Sequence, residues 1–297
     1  MTRVEVLATG ALTTIQDLGR PGWAHVGVPR SGATDRPALR LANILVGNDE
    51  GAPALETTLA GPRLRFDGPA KVALTGATVR ARVGERAVPM YESFSVAAGD
   101  QLRVGNATVG LRTYIAFEGG LDVPLVLGSA ATDVLTGLGP APLTSGQLLA
   151  LHERGALQGR PGGGRTARSP APEPPPSWEL PESVVLRVIV GPRSDWFTPA
   201  SIKRLLSEPF TVSQASNRIG IRLQGPELER GRPGELPSEG LVSGAIQVPS
   251  DGQPILLLAD HPTTGGYPVA AVVCADDLRL AAQLRPGQQC RFAGLIS

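Results

Sequence analysis

The chain has 297 residues, 28 basic against 27 acidic, and a formal net charge of +1. That length holds one large or two medium domains with ample core. A near-neutral charge without a basic arm excludes nucleic acid as the main partner, and no apolar run nears the roughly 18 residues a membrane span needs.

The N-terminus, MTRVEVLATG, lacks the apolar stretch of a signal peptide. Cys274 and Cys290 sit in apolar strand-like runs and are read as buried free thiols. Both features predict a cytoplasmic protein. His25, His152 and His261 are scattered without ligand spacing, so no metal held by protein ligands is expected. Gly 37 and Pro 28 with few helical patterns predict many short strands and turns.

In chain order, residues 2 to 9 alternate apolar and polar through Val4 and Val6 and predict a first strand. Thr13 to Gly22 reads as a polar loop, and His25 to Ala33 as loop or irregular strand. Asp35 is an N-cap with Pro37 in the first turn; Ala38, Leu39, Leu41, Ala42, Leu45 and Val46 follow helical spacing, and Gly47 supplies the stop. Ala54 to Leu151 reads as short strands between turns. Gly99-Asp100, Gly146-Gln147 and Gly287-Gln288 each lead an alternating strand, a unit that recurs in barrels and sandwiches. The third copy predicts that the chain closes on a barrel strand.

Gly155 to Pro181 is dominated by Gly and Pro and cannot bury a core. The expected division is therefore a β-barrel-like domain over 1–154, a linker over 155–181 and a second barrel over 182–297; a long loop inside one composite domain stays open. Val184 to Val190 predicts a strand. Thr198-Pro199 caps a helix with Ile202, Leu205 and Leu206 inside, and Thr211 to Arg222 reads strand, polar turn, strand. Asp276 is read as capping a last helix over Leu278 to Leu284.

The most informative stretch is Ser238 to Ala271. Gly244 to Val248 reads as extended, Pro249 to Gly252 as a turn, and Pro254 to Ala259 as a strand buried on both faces. It ends in Asp260-His261-Pro262-Thr263-Thr264-Gly265-Gly266-Tyr267-Pro268, a loop of polar groups on a rigid base. Here Asp260 is either a base or a carboxylate capping its own turn. Arg218 and Arg222 either clamp an anion or form surface ion pairs. His25 and His261 read as structural.

No Gly-rich loop precedes either lysine, Lys71 or Lys203, and no Gly-x-Ser-x-Gly elbow occurs. Neither methionine adjoins a lysine, so no biotin is attached to this chain.

Five stretches, in order, then carry a resemblance: TIQDLGRPGWAHVGVPRSGATDRPALRLANILVGN, ALETTLAGP, FEGGLDVPLVLGSAATD, SNRIGIRLQG and SEGLVSGAIQVPSDGQPILLLADHPTTGGYP. Together they resemble the allophanate hydrolase subunit 2 family. It is also called the biotin-dependent carboxyltransferase family and includes the C-type subunit of 5-oxoprolinase. The resemblance covers nearly all of the chain except the linker.

The resemblance implies a mainly β protein of cyclophilin-like β-barrel domains with a few short helices. It implies a partner, the subunit 1 (5-oxoprolinase B-like) protein, and a third, 5-oxoprolinase A-like protein. The implied reaction is ATP-dependent hydrolysis of 5-oxoproline to glutamate, with ATP and Mg2+ as cofactors, through a phosphorylated lactam oxygen. The alternatives are a carboxyltransferase component acting on urea or a similar small amide, and a non-catalytic regulator of the subunit 1 partner. By motif position, Asp260, Arg218 and Gln247 are the expected catalytic residues. Gln16, Asp17, Arg20, Ser31, Asp35, Asn43, Glu56, Asn217, Arg222, Thr264, Gly265, Gly266 and Tyr267 are the expected substrate-binding residues. Asn43 and Glu56 read equally well as buried network members that fix the barrel.

Overall fold

The computed structural model describes residues 1–153, 183–232, 234 and 236–295. The expected linker at 155–181 lies outside the described residues. The chain divides into two compact units. One comprises Met1–Arg20, Asp35–Asp133 and the described residues 137–153; the other comprises Pro21–Thr34, Val134–Thr136 and the described residues from 183 on. The units are thus interleaved along the chain, with two short segments of the N-terminal half grouped with the C-terminal one.

The first unit is a ten-stranded sheet with one helix. Its strands are β1 (Arg3–Ala8), β2 (Leu12–Gln16), β3 (Ala54–Thr58), β4 (Arg63–Phe66), β5 (Ala70–Val83), β6 (Arg86–Val88), β7 (Ser93–Val96), β8 (Gln101–Phe117), β9 (Leu121–Asp122) and β10 (Leu148–Leu151). The order is β2-β3-β8-β4-β1-β10-β9, with β5 on β8 and β6 and β7 on β5. Val4, Val6, Leu64, Phe66, Leu102, Phe117 and Leu149 point inward from alternating positions and make one core. Phe66 and Phe117 pack tilted at 6.2 Å. Helix α1 (Arg36–Val46) lays Leu39, Ala42 and Val46 against β5 and β8. Its ends match expectation: the Asp35 side chain accepts from Ala38 N at 3.1 Å, and Gly47 closes it at φ 84°.

Two expectations fail here. Thr13 to Gln16 is a buried strand, not loop, because β-branched threonines suit a pleat and Thr13 Oγ1 pairs across to Thr57 Oγ1 at 3.0 Å. And β5 and β8 are long strands of 14 and 17 residues. Gly76 marks a bulge in this pair: the β5–β8 register shifts after it, its φ is 87° and its missing Cβ would lie 2.4 Å from Arg112 O.

The second unit is a closed seven-stranded barrel. Its elements are β11 (Val184–Val190), α2 (Pro199–Ser207), β12 (Phe210–Val212), β13 (Gly220–Gln224), β14 (Glu239–Gly240), β15 (Ala245–Gln247), β16 (Ile255–Leu257), β17 (Thr264–Gly265), β18 (Val269–Val273), α3 (Leu278–Ala282) and β19 (Gln289–Gly294). The barrel runs β11-β18-β15-β16-β13-β12-β19 and closes through a parallel β19–β11 pair, Val184 opposite Cys290. Closure removes the sheet edges. Phe210 and Phe292 fill the interior at 5.9 Å beside Cys290, whose thiol burial pushes up to about 12. Thr198 caps α2 through Ser201 N. The three turn glycines, Gly99, Gly146 and Gly287, share φ 85° and lead into β8, β10 and β19 as expected.

Asp276 does not cap α3. Asp277 precedes it without a capping bond, because its carboxylate is gripped by Arg187 Nε and Nη2 at 3.0 and 2.7 Å. That pairing holds the carboxyl of Asp277 below the usual range despite its burial.

Candidate functional site

The residues singled out by the sequence collect into distinct clusters, and their hydrogen-bond accounts differ. In the first unit, Gln16 ends β2 and Asp17 and Arg20 follow it. All three turn onto one stretch of backbone, 126–132. Asp17 accepts from Ser129 Oγ at 2.6 Å, Ala130 N at 2.6 Å and Gly19 N at 2.7 Å. Arg20 donates through Nη2 to Ala131 O and through Nε to Val126 O at 3.4 Å. Gln16 donates through Nε2 to Thr132 O at 2.9 Å and Thr14 Oγ1 at 3.0 Å. The carbonyl of Thr132 fixes which way the Gln16 amide points, since the flipped amide would set oxygen against oxygen.

Gln16 and Arg20 are buried, at 0% and 1% exposure, yet each keeps one polar atom unmatched: Gln16 Oε1 and Arg20 Nη1. Buried polar atoms are rarely left so. Here an acceptor and a donor are carried by two heads anchored on consecutive carbonyls, Thr132 and Ala131.

A second cluster in the same unit centres on Tyr114 and Glu56. Tyr114 donates to Glu56 Oε2 at 2.6 Å and accepts from Asp35 N at 2.7 Å. Arg112 Nε lies 3.6 Å from Glu56 Oε1. Burial first, then the charges of Glu56 and Asp35, hold the Tyr114 hydroxyl protonated well above its ordinary range. Asn43 is likewise spent: it donates to Ala52 O at 2.8 Å and accepts from Asn48. Of the two readings open for Glu56 and Asn43, these bonds favour the network.

In the second unit, Asp260 follows β16 and meets Arg218, from the turn before β13. Arg218 Nε and Nη2 reach Asp260 Oδ2 and Oδ1, both at 2.9 Å. Ser31 Oγ donates to Asp260 Oδ1 at 2.6 Å and Val134 N to Oδ2 at 3.1 Å. The rest of the Arg218 fork goes to Thr34 Oγ1 and Gly32 O. Ser31 sits at φ 53°, an uncommon conformation for a residue with a side chain, which the bond to Asp260 helps to hold. Asp260 is 0% exposed and each of its oxygens already accepts two bonds. It ties these segments together, with both oxygens engaged by groups of the chain itself.

On β13 Arg222 is exposed while Arg218 is buried. Asn217 is exposed and caps its own turn through Ile219 N at 2.8 Å. Around the β14–β17 ladder, Gln247 donates to Tyr267 O at 3.0 Å, and Glu239 of β14 is gripped by the Arg193 fork. Gly265 is small because a Cβ there would lie 2.8 Å from Leu241 Cδ1 and 3.0 Å from Gln247 Nε2. Gly266 would meet Leu236 O at 3.2 Å. Thr264 and Tyr267 are exposed.

Sequence reasoning missed Ser129, Tyr114, Arg112 and Thr34. Ser129 lies in the GSAATD stretch, and a hydroxyl among small residues there was the available sign. Tyr114 and Arg112 are masked by the apolar end of β8. Among the described residues no group of three His, Cys, Asp or Glu could hold a metal ion, and no helix is long and apolar enough to cross a membrane.

The family described as carboxyltransferase domain, subdomain A and B, matches residues 26–294. The chain is 39% identical to the C-type subunit of 5-oxoprolinase from Escherichia coli, over 97% of this chain and 90% of that one. It is 35% identical to urea amidolyase of Lachancea kluyveri, over 97% of this chain but 17% of that protein. The solved structure of TTHA0988 superposes with a TM-score of 0.83 at 37% identity; it takes in 99% of this chain, which spans 55% of that chain.

Proposed function

Because the chain belongs to the carboxyltransferase domain family, subdomain A and B, we propose that it is the C-type component of an ATP-dependent 5-oxoprolinase, hydrolysing 5-oxoproline to glutamate. The observation that carries this reading is the unmatched pair of Gln16 Oε1 and Arg20 Nη1. A lactam ring holds its amide cis, so N–H and C=O lie on one edge as a donor beside an acceptor. Gln16 Oε1 takes the lactam N–H and Arg20 Nη1 donates to the lactam oxygen. The guanidinium is always charged, and a donor aimed at oxygen stabilises the negative charge that grows there. Asp17, by fixing residues 129–130, holds the backbone on which both heads rest.

Among the described residues neither a phosphate-cradling loop nor an acidic cluster supports placing a nucleoside triphosphate on this chain. Lys71 and Lys203 lie on β5 and α2 without a Gly-rich loop, and no acidic cluster suits Mg2+. We therefore place ATP and Mg2+ on the A-like or B-like partner, and derive no step through them on this chain.

A second reading has its own support. Urea shows the same edge of N–H beside C=O, and urea amidolyase is 35% identical across 97% of this chain. In that reading Gln16 and Arg20 hold urea while a carboxyl group arrives on a biotin carried by another chain.

The test is glutamate release from 5-oxoproline and ATP by this chain with its A-like and B-like partners. ATP-dependent glutamate that falls at least a hundredfold in Gln16→Leu, with the variant still folded, supports the proposal. Carboxylation of urea without glutamate release supports the second reading. Turnover unchanged in Gln16→Leu and in Arg20→Gln rejects the site.

A further inference from the structure

On the outer face of the first unit's sheet, three arginines stand in register on adjacent strands. Arg63 of β4 is directly opposite Arg103 of β8, and Arg103 is directly opposite Arg82 of β5. All three are exposed, and so is Arg80, two residues along β5 on the same face. Strand spacing of about 4.8 Å puts the row across roughly 10 Å. Like charges directly opposite one another destabilise a sheet. The adjoining row shows how such charge is offset within the chain: Arg65 is opposite Glu5 and bonded to it. The Arg63–Arg103–Arg82 row has only Glu85, 3.5 Å from Arg82 and 98% exposed, a contact of little weight. No carboxylate among the described residues pairs with Arg63, Arg80 or Arg103.

We propose that this row is a docking surface for an acidic helix of a partner protein, one with Asp or Glu repeated every three to four residues along a face. Such carboxylates are about 5–6 Å apart, close to the spacing of the row, so each can meet one guanidinium. Guanidinium forks take carboxylates bidentately. The patch is four charges on a chain of net charge +1, too small and isolated for a nucleic-acid track, which needs basic charge extended along a face.

The test uses the full chain and a labelled synthetic helical peptide with Glu at i, i+4 and i+7, against the same peptide with Gln and a thymidine oligonucleotide. The Glu peptide is expected to bind, to lose affinity as salt rises, and to bind at least tenfold more weakly to the Arg63→Ser/Arg103→Ser variant. In the free protein, Arg103→Thr is expected to raise the unfolding temperature, since it removes the repulsion. Absence of salt-sensitive peptide binding, equal binding by the double variant, tighter binding of the oligonucleotide, or a lower unfolding temperature for Arg103→Thr would overturn the proposal.

Discussion

Two buried arginines in this molecule are handled in opposite ways. Arg218 of the second unit spends its fork on Asp260, Thr34 and Gly32, and Asp260 in turn is filled by Ser31 and Val134. Arg20 of the first unit is as deeply buried but donates to carbonyls, and its Nη1 has no hydrogen-bond partner, as Gln16 Oε1 has none. A closed account marks a tie that holds chain segments together. The proposed site rests on an open account at Gln16 and Arg20. Charge and burial, which the two share, do not separate the roles; the remaining hydrogen-bond capacity does.

The comparison breaks most visibly at Asp260. Asp260→Ala strands the Arg218 guanidinium in the interior, and removing one partner of a buried pair costs roughly 3–5 kcal/mol. Urea or thermal unfolding is expected to show that loss, with activity falling because the second unit no longer folds. An Asp260→Ala protein of native stability but no turnover would return Asp260 to the chemistry. Gln16→Leu is the mirror case. It gives up the bonds to Thr132 and Thr14 but also removes the idle oxygen, so stability is expected to change by only about 1 kcal/mol. Turnover is expected to fall by about 10²- to 10³-fold, the usual size for a lost polar contact in the transition state. Equal losses in stability and turnover would erase the distinction between tie and site.

Tyr114 sharpens the comparison from the closed side. Tyr114→Phe leaves Glu56 Oε2 and Asp35 N without that partner, at about 1–3 kcal/mol. It also changes the alkaline limb of stability. In the folded state the Tyr114 hydroxyl is held protonated well above its ordinary value of 10.0. Above about pH 10 the unfolded chain releases this proton and the folded chain does not, so the unfolded state binds fewer protons and stability falls as pH rises. Below that pH the contribution is complete. Cys290, pushed up to about 12 by burial, acts in the same direction. Stability measured from about pH 8 to 12 is expected to fall less steeply in Tyr114→Phe; an unchanged slope would put the alkaline loss elsewhere.

Much of the scaffold was legible from local rules. The capped helix after Asp35, the strand Val184–Val190, the helix after Thr198 and the three Gly-led strands depend on residues close in sequence, and each stands where it was expected. What escaped was set by partners far along the chain. Thr13 and Thr14 look like loop until Thr57 stands opposite. Residues 54–151 look like short strands until β5 and β8 pair along their length. The site followed the same division. Gln16, Asp17 and Arg20 were found together, as were Arg218 and Asp260. Whether a group was spent or idle could not be read from either stretch, because Ala131, Thr132, Ser31 and Val134 decide it at separations of up to 229 residues.

The smallest effect tests the same rule at the surface. Arg222 shares its motif with Arg218, four residues earlier, and motif position alone gives them equal standing. On β13 it faces solvent, and no acidic side chain pairs with it among the described residues. An exposed, unpaired side chain of this kind changes stability by less than about 0.5 kcal/mol when truncated. Arg222→Ala is therefore expected to leave both the unfolding midpoint and glutamate release at the parent level. If instead it abolishes turnover in a stable protein, the reactive groups lie on the outer wall of the barrel, and the reasoning that placed them at Gln16 and Arg20 fails with it.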